Sequence, residues 1–179
     1  LSKKLGVKCY DKELLRESAL NSNLNESYLE TVDEKSPGLF MAPPMVSMST
    51  AEIQMPSIKA YVAQFEAIKK IAERESCIII GRCSDYVLAE RNDVVNVFIY
   101  AGTGYRIHRL RELHGISEKE AKTLMLKEDR KRAAYYEYYT DKKWGARRSY
   151  DLCINTEKFG TQGAADIIAR IVNEKNADK

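Results

Sequence analysis

The chain has 179 residues, of which 44% are hydrophobic and 31% charged, enough for one substantial core but too few for two comfortable domains. No apolar run approaches the roughly 18–20 residues of a membrane span, so no membrane partner is expected. The four cysteines form no Cys-x-x-Cys pair and three lie in apolar runs. This pattern favours a reduced, cytoplasmic protein over a disulfide or zinc scaffold.

The net charge of +3 is unevenly distributed along the chain. Residues 104–150 carry the excess of lysine and arginine, whereas the rest of the chain has more acidic than basic residues. A local excess of this kind indicates an anionic ligand, although a solvated helical face explains most of the lysines better.

The first part of the chain predicts short helices and a loop. Asp11 is a plausible N-cap for a helix over 12–16, and a second helix is expected over 27–33. Residues 37–57 are rich in proline and methionine and predict a loop or flap. From 57 to 75, apolar residues recur at helical spacing, which predicts an amphipathic helix. The residues on its apolar face are Ile58, Tyr61, Val62, Phe65, Ile68 and Ile71.

Three apolar runs predict strands farther along the chain, at 77–81, 94–100 and 150–155. The run at 77–81 is continuous, which is typical of a strand buried on both faces of a parallel sheet.

Helices are predicted between and after these strands. A helix follows the second strand and ends at Gly115. The next begins with a capping box of Ser117 and Glu120 and continues towards Arg132. A last helix is expected from Thr161, and the residues predicted to face the sheet are Ile167, Ile168, Ile171 and Val172. Strands that alternate with helices at this spacing predict an α/β domain with a parallel sheet.

The first candidate for a functional site is Gly81-Arg82, at the carboxyl end of a predicted strand. Ligands of open parallel sheets bind beyond the carboxyl ends of the strands. An arginine there offers a planar fork of donors to phosphate or carboxylate. A glycine that ends a strand before a surface arginine is the alternative explanation.

The second candidate is a set of four arginines in the basic segment: Arg106, Arg109, Arg130 and Arg132. Phosphoryl transfer uses positioned cations of this kind to stabilise charge on the transferred group. Helix solubility explains each arginine equally well when it is taken singly. Nucleic-acid binding is a weaker hypothesis, because the net charge is modest and no binding signature is present.

Tyrosines cluster after this segment, at Tyr135, Tyr136, Tyr138 and Tyr139, within residues 133–149 that show no clean period. They could stack on a nucleobase, but packing at the hinge of a mobile flap is the favoured interpretation.

Three segments together resemble the cytidylate kinase-like branch of the nucleoside-monophosphate kinases. They are KLGVKCYDKELL at 4–15, CIIIGRCSDYVL at 77–88, and EDRKRAAYYEYYTDKKW at 128–144, which continues into YDLCINT at 150–156. The resemblance implies one domain with a three-layer P-loop kinase fold, an α/β architecture whose parallel sheet is flanked by helices. Its implied parts are a helical monophosphate-binding region over 11–75, core over 77–115, a lid region over 116–149, and a core strand and helix over 150–179.

The resemblance also implies a role for each candidate residue. On the acceptor side it places Asp11, Arg16 and Arg82, with Asp85 as a possible reader of the base. On the ATP side it places Arg106, Thr156 and Phe159. It assigns the catalytic contacts with the phosphates to Arg109, Arg130 and Arg132, and it names no metal ligand among the residues of this sequence.

The implied reaction is phosphoryl transfer from ATP with Mg²⁺ to a nucleoside monophosphate, CMP or dCMP first. A kinase of another small metabolite and a degenerate nucleotide-binding regulatory protein remain alternatives. The oligomeric state is left open, a homodimer included.

The chain departs from the family's pattern in two places. Cytidylate kinases have Gly-Arg-Asp where this chain has Gly81-Arg82-Cys83, and that aspartate helps to recognise cytosine. Family members also begin with a strand and a glycine-rich loop that holds the phosphates of ATP. We expect such a segment of roughly 15–25 residues to precede Leu1, because a strand, a loop and part of a helix need that length.

Overall fold

The computed structural model describes residues 1–11 and 50–177 and shows a mixed α/β protein. Its elements, in chain order, are α1 (Ser2–Leu5), β1 (Lys8–Tyr10), α2 (Thr50–Arg74), β2 (Cys77–Ile79), α3 (Ser84–Val87), β3 (Val97–Tyr100), α4 (Thr103–His114), α5 (Glu118–Thr140), β4 (Leu152–Asn155) and α6 (Thr156–Ala177). The helices expected at 12–16 and 27–33, most of the 37–57 loop, and Arg16 lie outside the described residues.

The strands form two parallel pairs. β1 pairs with β2, with Cys9 opposite Ile78, and β3 pairs with β4, with Phe98 opposite Cys153. Parallel pairing agrees with the prediction from the alternation of strands and helices.

The chain divides into two compact units. The first unit comprises Leu1–Gly6, Asp93–Ala133 and Lys142–Lys179, and the second comprises Val7–Asn92 and Ala134–Asp141. Each unit contains one parallel strand pair, β3–β4 in the first and β1–β2 in the second.

The core of the first unit lies where α6 covers β4. Ile154, Ala164 and Ile168 are buried, and Ile167 and Val172 pack against them. The apolar face of α6 therefore packs against β4, as the period of its sequence predicts.

The core of the second unit is built on α2, where Ala67, Ile68 and Ile71 are almost completely buried. These positions confirm the predicted amphipathic period. Val62 was expected on the same face but is 51% exposed, and the helix begins at Thr50 rather than at 57.

The capping box before α5 is present as predicted. The backbone N–H of Ser117 donates to the Glu120 carboxylate over 2.9 Å, and the N–H of Glu120 donates to Ser117 Oγ over 3.3 Å. The Ser117 hydroxyl also donates to the Glu120 carboxylate over 2.6 Å, and this bond, together with the one from the Ser117 N–H, lowers the pKa of Glu120. The helix before it ends at Gly115, in the left-handed conformation expected of a C-terminal glycine.

The predicted end of α5 near Arg132 is wrong, because the helix continues to Thr140. Packing within the second unit sustains the added turns. Tyr135 and Tyr136 are each only 6% exposed. Tyr139 stacks on Tyr61 with ring centroids 3.6 Å apart. Burial of several aromatic rings stabilises a segment that has no clean helical period.

The last helix begins at Thr156 rather than at Thr161, with a break at Gly160, whose φ of 66° and ψ of 171° are not helical. Thr161 therefore begins the main part of α6. The strands are also less buried than expected, since Ile80 is 50% exposed and Ile99 49%. Among the described residues each strand has a single partner, so both outer edges of each pair are open.

Candidate functional site

The second unit brings two of the predicted acceptor residues together. Asp11 follows β1 and Arg82 follows β2, and the parallel register places Tyr10 opposite Ile79 just before them. An Arg82 Nη2 atom lies 3.6 Å from Asp11 Oδ1. The Arg82 side chain is only 5% exposed, whereas that of Asp11 is 52% exposed. The carboxyl edge of this strand pair therefore carries a buried guanidinium whose carboxylate partner remains half in solvent.

The backbone that carries Arg82 has an unusual conformation. Gly81, Arg82 and Cys83 have φ angles of 69°, 59° and 56°, so three successive residues are left-handed. Such a conformation costs roughly 1–2 kcal/mol for each residue other than glycine. The turn ends where α3 begins, and Ser84 N–H donates to the Gly81 carbonyl over 3.1 Å. Strain of this kind is concentrated at ligand-binding turns, where the surrounding structure maintains it.

Cys83 and Asp85 bear on the question of the acceptor base. The Cys83 side chain is buried, with the residue 3% exposed. Asp85 accepts a 2.5 Å hydrogen bond from the Tyr136 hydroxyl, so its carboxylate ties α3 to the end of α5 within the second unit. Asp85 thus has a structural contact at the position where the sequence predicted a reader of the base.

The aromatic side chains of this unit pack on one another. Tyr61 stacks on Tyr139, contacts Phe65 at a centroid distance of 4.2 Å, and donates to the Tyr139 carbonyl over 3.3 Å. Burial raises the pKa of both phenols. Tyr138, by contrast, is 50% exposed. The predicted packing role is therefore confirmed for Tyr139, while Tyr138 alone presents a ring to solvent among the four clustered tyrosines.

In the first unit, the predicted ATP-side arginine Arg106 is held by Asp129. Arg106 on α4 donates from Nη1 and Nη2 to the two carboxylate oxygens of Asp129 on α5, over 2.8 and 2.7 Å. This bidentate bond raises the pKa of Arg106. Arg132 lies 4.0 Å from the same carboxylate. The sequence did not single out Asp129, because its partner lies 23 positions away on another helix.

The other two predicted catalytic arginines, Arg109 and Arg130, are exposed on α4 and α5 of the first unit. Neither forms an ion pair with another residue in the described part of the chain. An exposed arginine of this kind keeps all its donors available to an anion, but it loses rotamer freedom when it binds.

Thr156 and Phe159 lie at the carboxyl end of β4, also in the first unit. The Thr156 hydroxyl donates to the Tyr100 carbonyl over 3.2 Å, and Phe159 is 57% exposed. Gly102 and Glu157 were not predicted. Gly102 N–H donates to a Glu157 oxygen over 2.9 Å, and a Cβ at Gly102 would lie 2.5 Å from that oxygen. Only glycine fits at position 102 without displacing Glu157, which joins the ends of β3 and β4.

Residues 1–11 and 50–177 contain no group of three or more histidine, cysteine, aspartate or glutamate side chains that could surround a metal ion. They offer no protein cage to Mg²⁺. None of their helices is long and apolar enough to cross a membrane.

Comparisons with known proteins bear on both units. The model of the cytidylate kinase-like family matches residues 1–158. The crystal structure of an uncharacterized protein from Eubacterium ventriosum ATCC 27560 is similar, with a TM-score of 0.67 and 27% identity, over 97% of this chain and 87% of that chain. No curated protein matches.

Proposed function

Because the chain belongs to the cytidylate kinase-like family, which indicates a kinase acting on nucleotides, we propose that it transfers the γ-phosphoryl group of ATP to a nucleoside monophosphate. CMP and dCMP are the first acceptors to test. The three-layer P-loop fold of the family is part of this proposal.

The observation that carries the proposal is the buried Arg82 at the carboxyl edge of β1 and β2. A guanidinium offers two parallel donors that match the oxygens of a phosphate monoester. Its guanidinium lies 3.6 Å from the Asp11 carboxylate, as an ion pair that keeps the side chain at this edge of the strand pair. The second unit would therefore bind the phosphate of the acceptor through Arg82, with Asp11 fixing the side chain.

The first unit would bind ATP. Arg106, Arg109, Arg130 and Arg132 supply cations on α4 and α5, and phosphoryl transfer depends on such cations because the transition state spreads charge over the phosphoryl oxygens. Phe159 offers an exposed ring against which adenine can lie, next to Thr156. No covalent intermediate is required.

Mg²⁺, when bound to ATP, neutralises charge on the β- and γ-phosphates. The phosphate oxygens of ATP would supply ligands to the ion.

A kinase of another small phosphorylated metabolite is the second candidate, and Cys83 favours it. The family's cytosine-reading aspartate is replaced here by a buried thiol, and Asp85 is engaged by Tyr136. Cys83 therefore offers no carboxylate to cytosine, and one oxygen of the Asp85 carboxylate is already bonded to Tyr136. Weak discrimination between acceptor bases would follow.

A coupled assay of ADP release tests the proposal on the complete protein, with ATP and Mg²⁺ and with CMP, dCMP, UMP or AMP as acceptor. We expect turnover with at least one pyrimidine monophosphate and little ADP release without an acceptor, because closure over both substrates would exclude water. No turnover with any of the four would overturn the nucleotide assignment, and turnover with a sugar or polyol phosphate instead would establish the second candidate.

A further inference from the structure

The bidentate bond between Arg106 and Asp129 joins two helices of the first unit. It runs from α4 to α5, and the two side chains are 34% and 24% exposed. Both oxygens of the carboxylate are used, over 2.7 and 2.8 Å, in the parallel geometry that fixes a guanidinium in both position and plane. A pair of this kind restrains Arg106 far more than a single exposed contact would.

The geometry leaves Arg106 able to bind a second anion. A guanidinium has five N–H donors, and the pair with Asp129 uses one on Nη1 and one on Nη2. The Nε–H and the second hydrogens of Nη1 and Nη2 point away from the Asp129 oxygens. Asp129 can therefore hold the Arg106 guanidinium while the remaining donors of that guanidinium contact a phosphate.

We propose that Asp129 is a positioning residue, which holds Arg106 in the orientation that contacts the phosphates of ATP. This inference rests on the proposed function, because it takes Arg106 as a ligand of ATP. The cost of ordering a long side chain is then met when the protein folds rather than when ATP binds.

A neighbouring pair provides a matched control. Glu128 precedes Asp129 on α5, and it accepts a 2.9 Å bond from Lys131 one turn along the same helix. Both carboxylates are partly buried, and both lose one negative charge on change to the amide. They differ in that Glu128 bonds within its own helix whereas Asp129 fixes an arginine of another helix.

The experiment compares Asp129→Asn with Glu128→Gln in the complete protein, measuring kcat and KM for ATP and for the acceptor. We expect D129N to lower kcat/KM for ATP by about 10-fold, the range of coupling between contacting charged residues. The KM for the acceptor should stay within about 2-fold, since the acceptor residues lie in the other unit. E128Q should change neither constant.

A double-variant cycle separates positioning from a general loss of packing. If Asp129 acts through Arg106, then Arg106→Gln combined with D129N should be no worse than Arg106→Gln alone. Asp129→Glu retains the charge on a longer stem and should recover part of the loss. It also takes the place of D129N if that variant does not fold.

Different results would count against the inference and against the proposed function. Equal kcat/KM for ATP in D129N and wild type, or an equal loss in E128Q, would overturn the positioning role while phosphoryl transfer stands. If wild type does not turn over, calorimetry with ATP decides: weaker binding by D129N but not E128Q supports the inference although the transfer reaction has failed. Equal ATP affinity in all three proteins, or no ATP binding by any of them, overturns it.

Discussion

The two units present their candidate phosphate-binding arginines in different ways. Arg82 in the second unit has a side chain only 5% exposed and is the middle residue of a turn of three left-handed residues. Arg109 and Arg130 in the first unit extend into solvent from α4 and α5. Folding fixes Arg82, whereas Arg109 and Arg130 lose rotamer freedom when they bind an anion.

The difference matters because burial changes what a charge can do. A buried guanidinium interacts with an anion through a low effective dielectric constant and is little screened by salt. An exposed one is screened and loses side-chain entropy on binding. We therefore expect the second unit to recognise one phosphate stringently, and the first unit to spread its contribution over several replaceable side chains.

The largest effect is expected from Arg82. Arg82→Met should lower kcat/KM for the acceptor by at least about 100-fold, the loss found when one positioned donor is removed from a catalytic site. Arg82→Lys should recover little, because an ammonium group lacks the planar fork. Steady-state kinetics with varied acceptor, and a melting curve for each variant, provide the measurement.

Arg91→Lys, in the same unit, is the control for the Arg82 variants and should retain wild-type kinetics. Full activity of a folded R82K would show that the buried arginine contributes only charge, and the contrast between the two units would then disappear.

A smaller effect is expected from each exposed arginine. Arg109→Ala and Arg130→Ala should each lower kcat/KM for ATP by about 10-fold, the size of a typical two-site coupling energy. Added salt should reduce the difference in kcat/KM for ATP between each variant and wild type, because exposed charges are screened over about 8–10 Å at moderate ionic strength. The deficit of R82M should persist in salt. Lys122→Ala, on the exposed side of α5, is the control.

These arginines also show what could be predicted from the sequence. The capping box at Ser117 and the ordering of strands and helices are local patterns, and the structure confirms them. The family resemblance assigned Asp11 and Arg82 to the acceptor side, and the structure brings them together because they follow adjacent parallel strands. The first of these strands, β1, was not predicted from the sequence. The left-handed turn at 81–83 could not be predicted, since only one of its three residues is glycine.

The extension of α5 and the role of Asp129 depend on contacts that are distant in sequence. Tyr139 gains its stacking partner Tyr61 from α2, and Asp129 gains Arg106 from α4. Periodicity within a segment carries no information about such partners. Tertiary packing therefore decided the features that the sequence did not reveal.

A modest effect is expected when the hydrogen bond between Tyr136 and Asp85 is removed. This change tests whether that bond helps to hold the turn at 81–83, which carries Arg82, in place. Tyr136→Phe should lower the free energy of unfolding by about 1–2 kcal/mol, because a partly buried carboxylate loses its donor. The KM for the acceptor should rise a few-fold while that for ATP stays unchanged.

Urea denaturation and steady-state kinetics measure these two effects of Tyr136→Phe. Tyr138→Phe removes a hydroxyl from an exposed ring of the same helix and should change neither quantity. A loss of stability in Y136F without any change in acceptor KM would show that the loop is positioned by its own backbone.

The smallest effect is expected at Glu75, near the amino end of β2, where a charged residue is expected to affect stability and not activity. Glu75, just before β2, accepts a 2.7 Å bond from the Tyr10 hydroxyl and a 3.1 Å bond from Arg74 Nε. These bonds, the one from Tyr10 foremost, lower the pKa of Glu75 below its ordinary value of 4.5. The ionised form is therefore favoured in the folded state.

A lowered pKa fixes the direction of the pH dependence at Glu75. Its contribution to stability is fully present above the unfolded pKa of 4.5 and is lost as the pH falls through the lower folded value. Glu75→Gln should therefore lower the Tm at neutral pH, and its difference from wild type should shrink at about pH 3. The neighbouring Glu73→Gln is the control in thermal melts at both pH values. A deficit in E75Q that is the same at both values would show that the carboxylate acts by its shape and hydrogen bonds alone. Among the charged residues of this strand pair, a contribution that depends on charge would then be expected only of Arg82, at the carboxyl end.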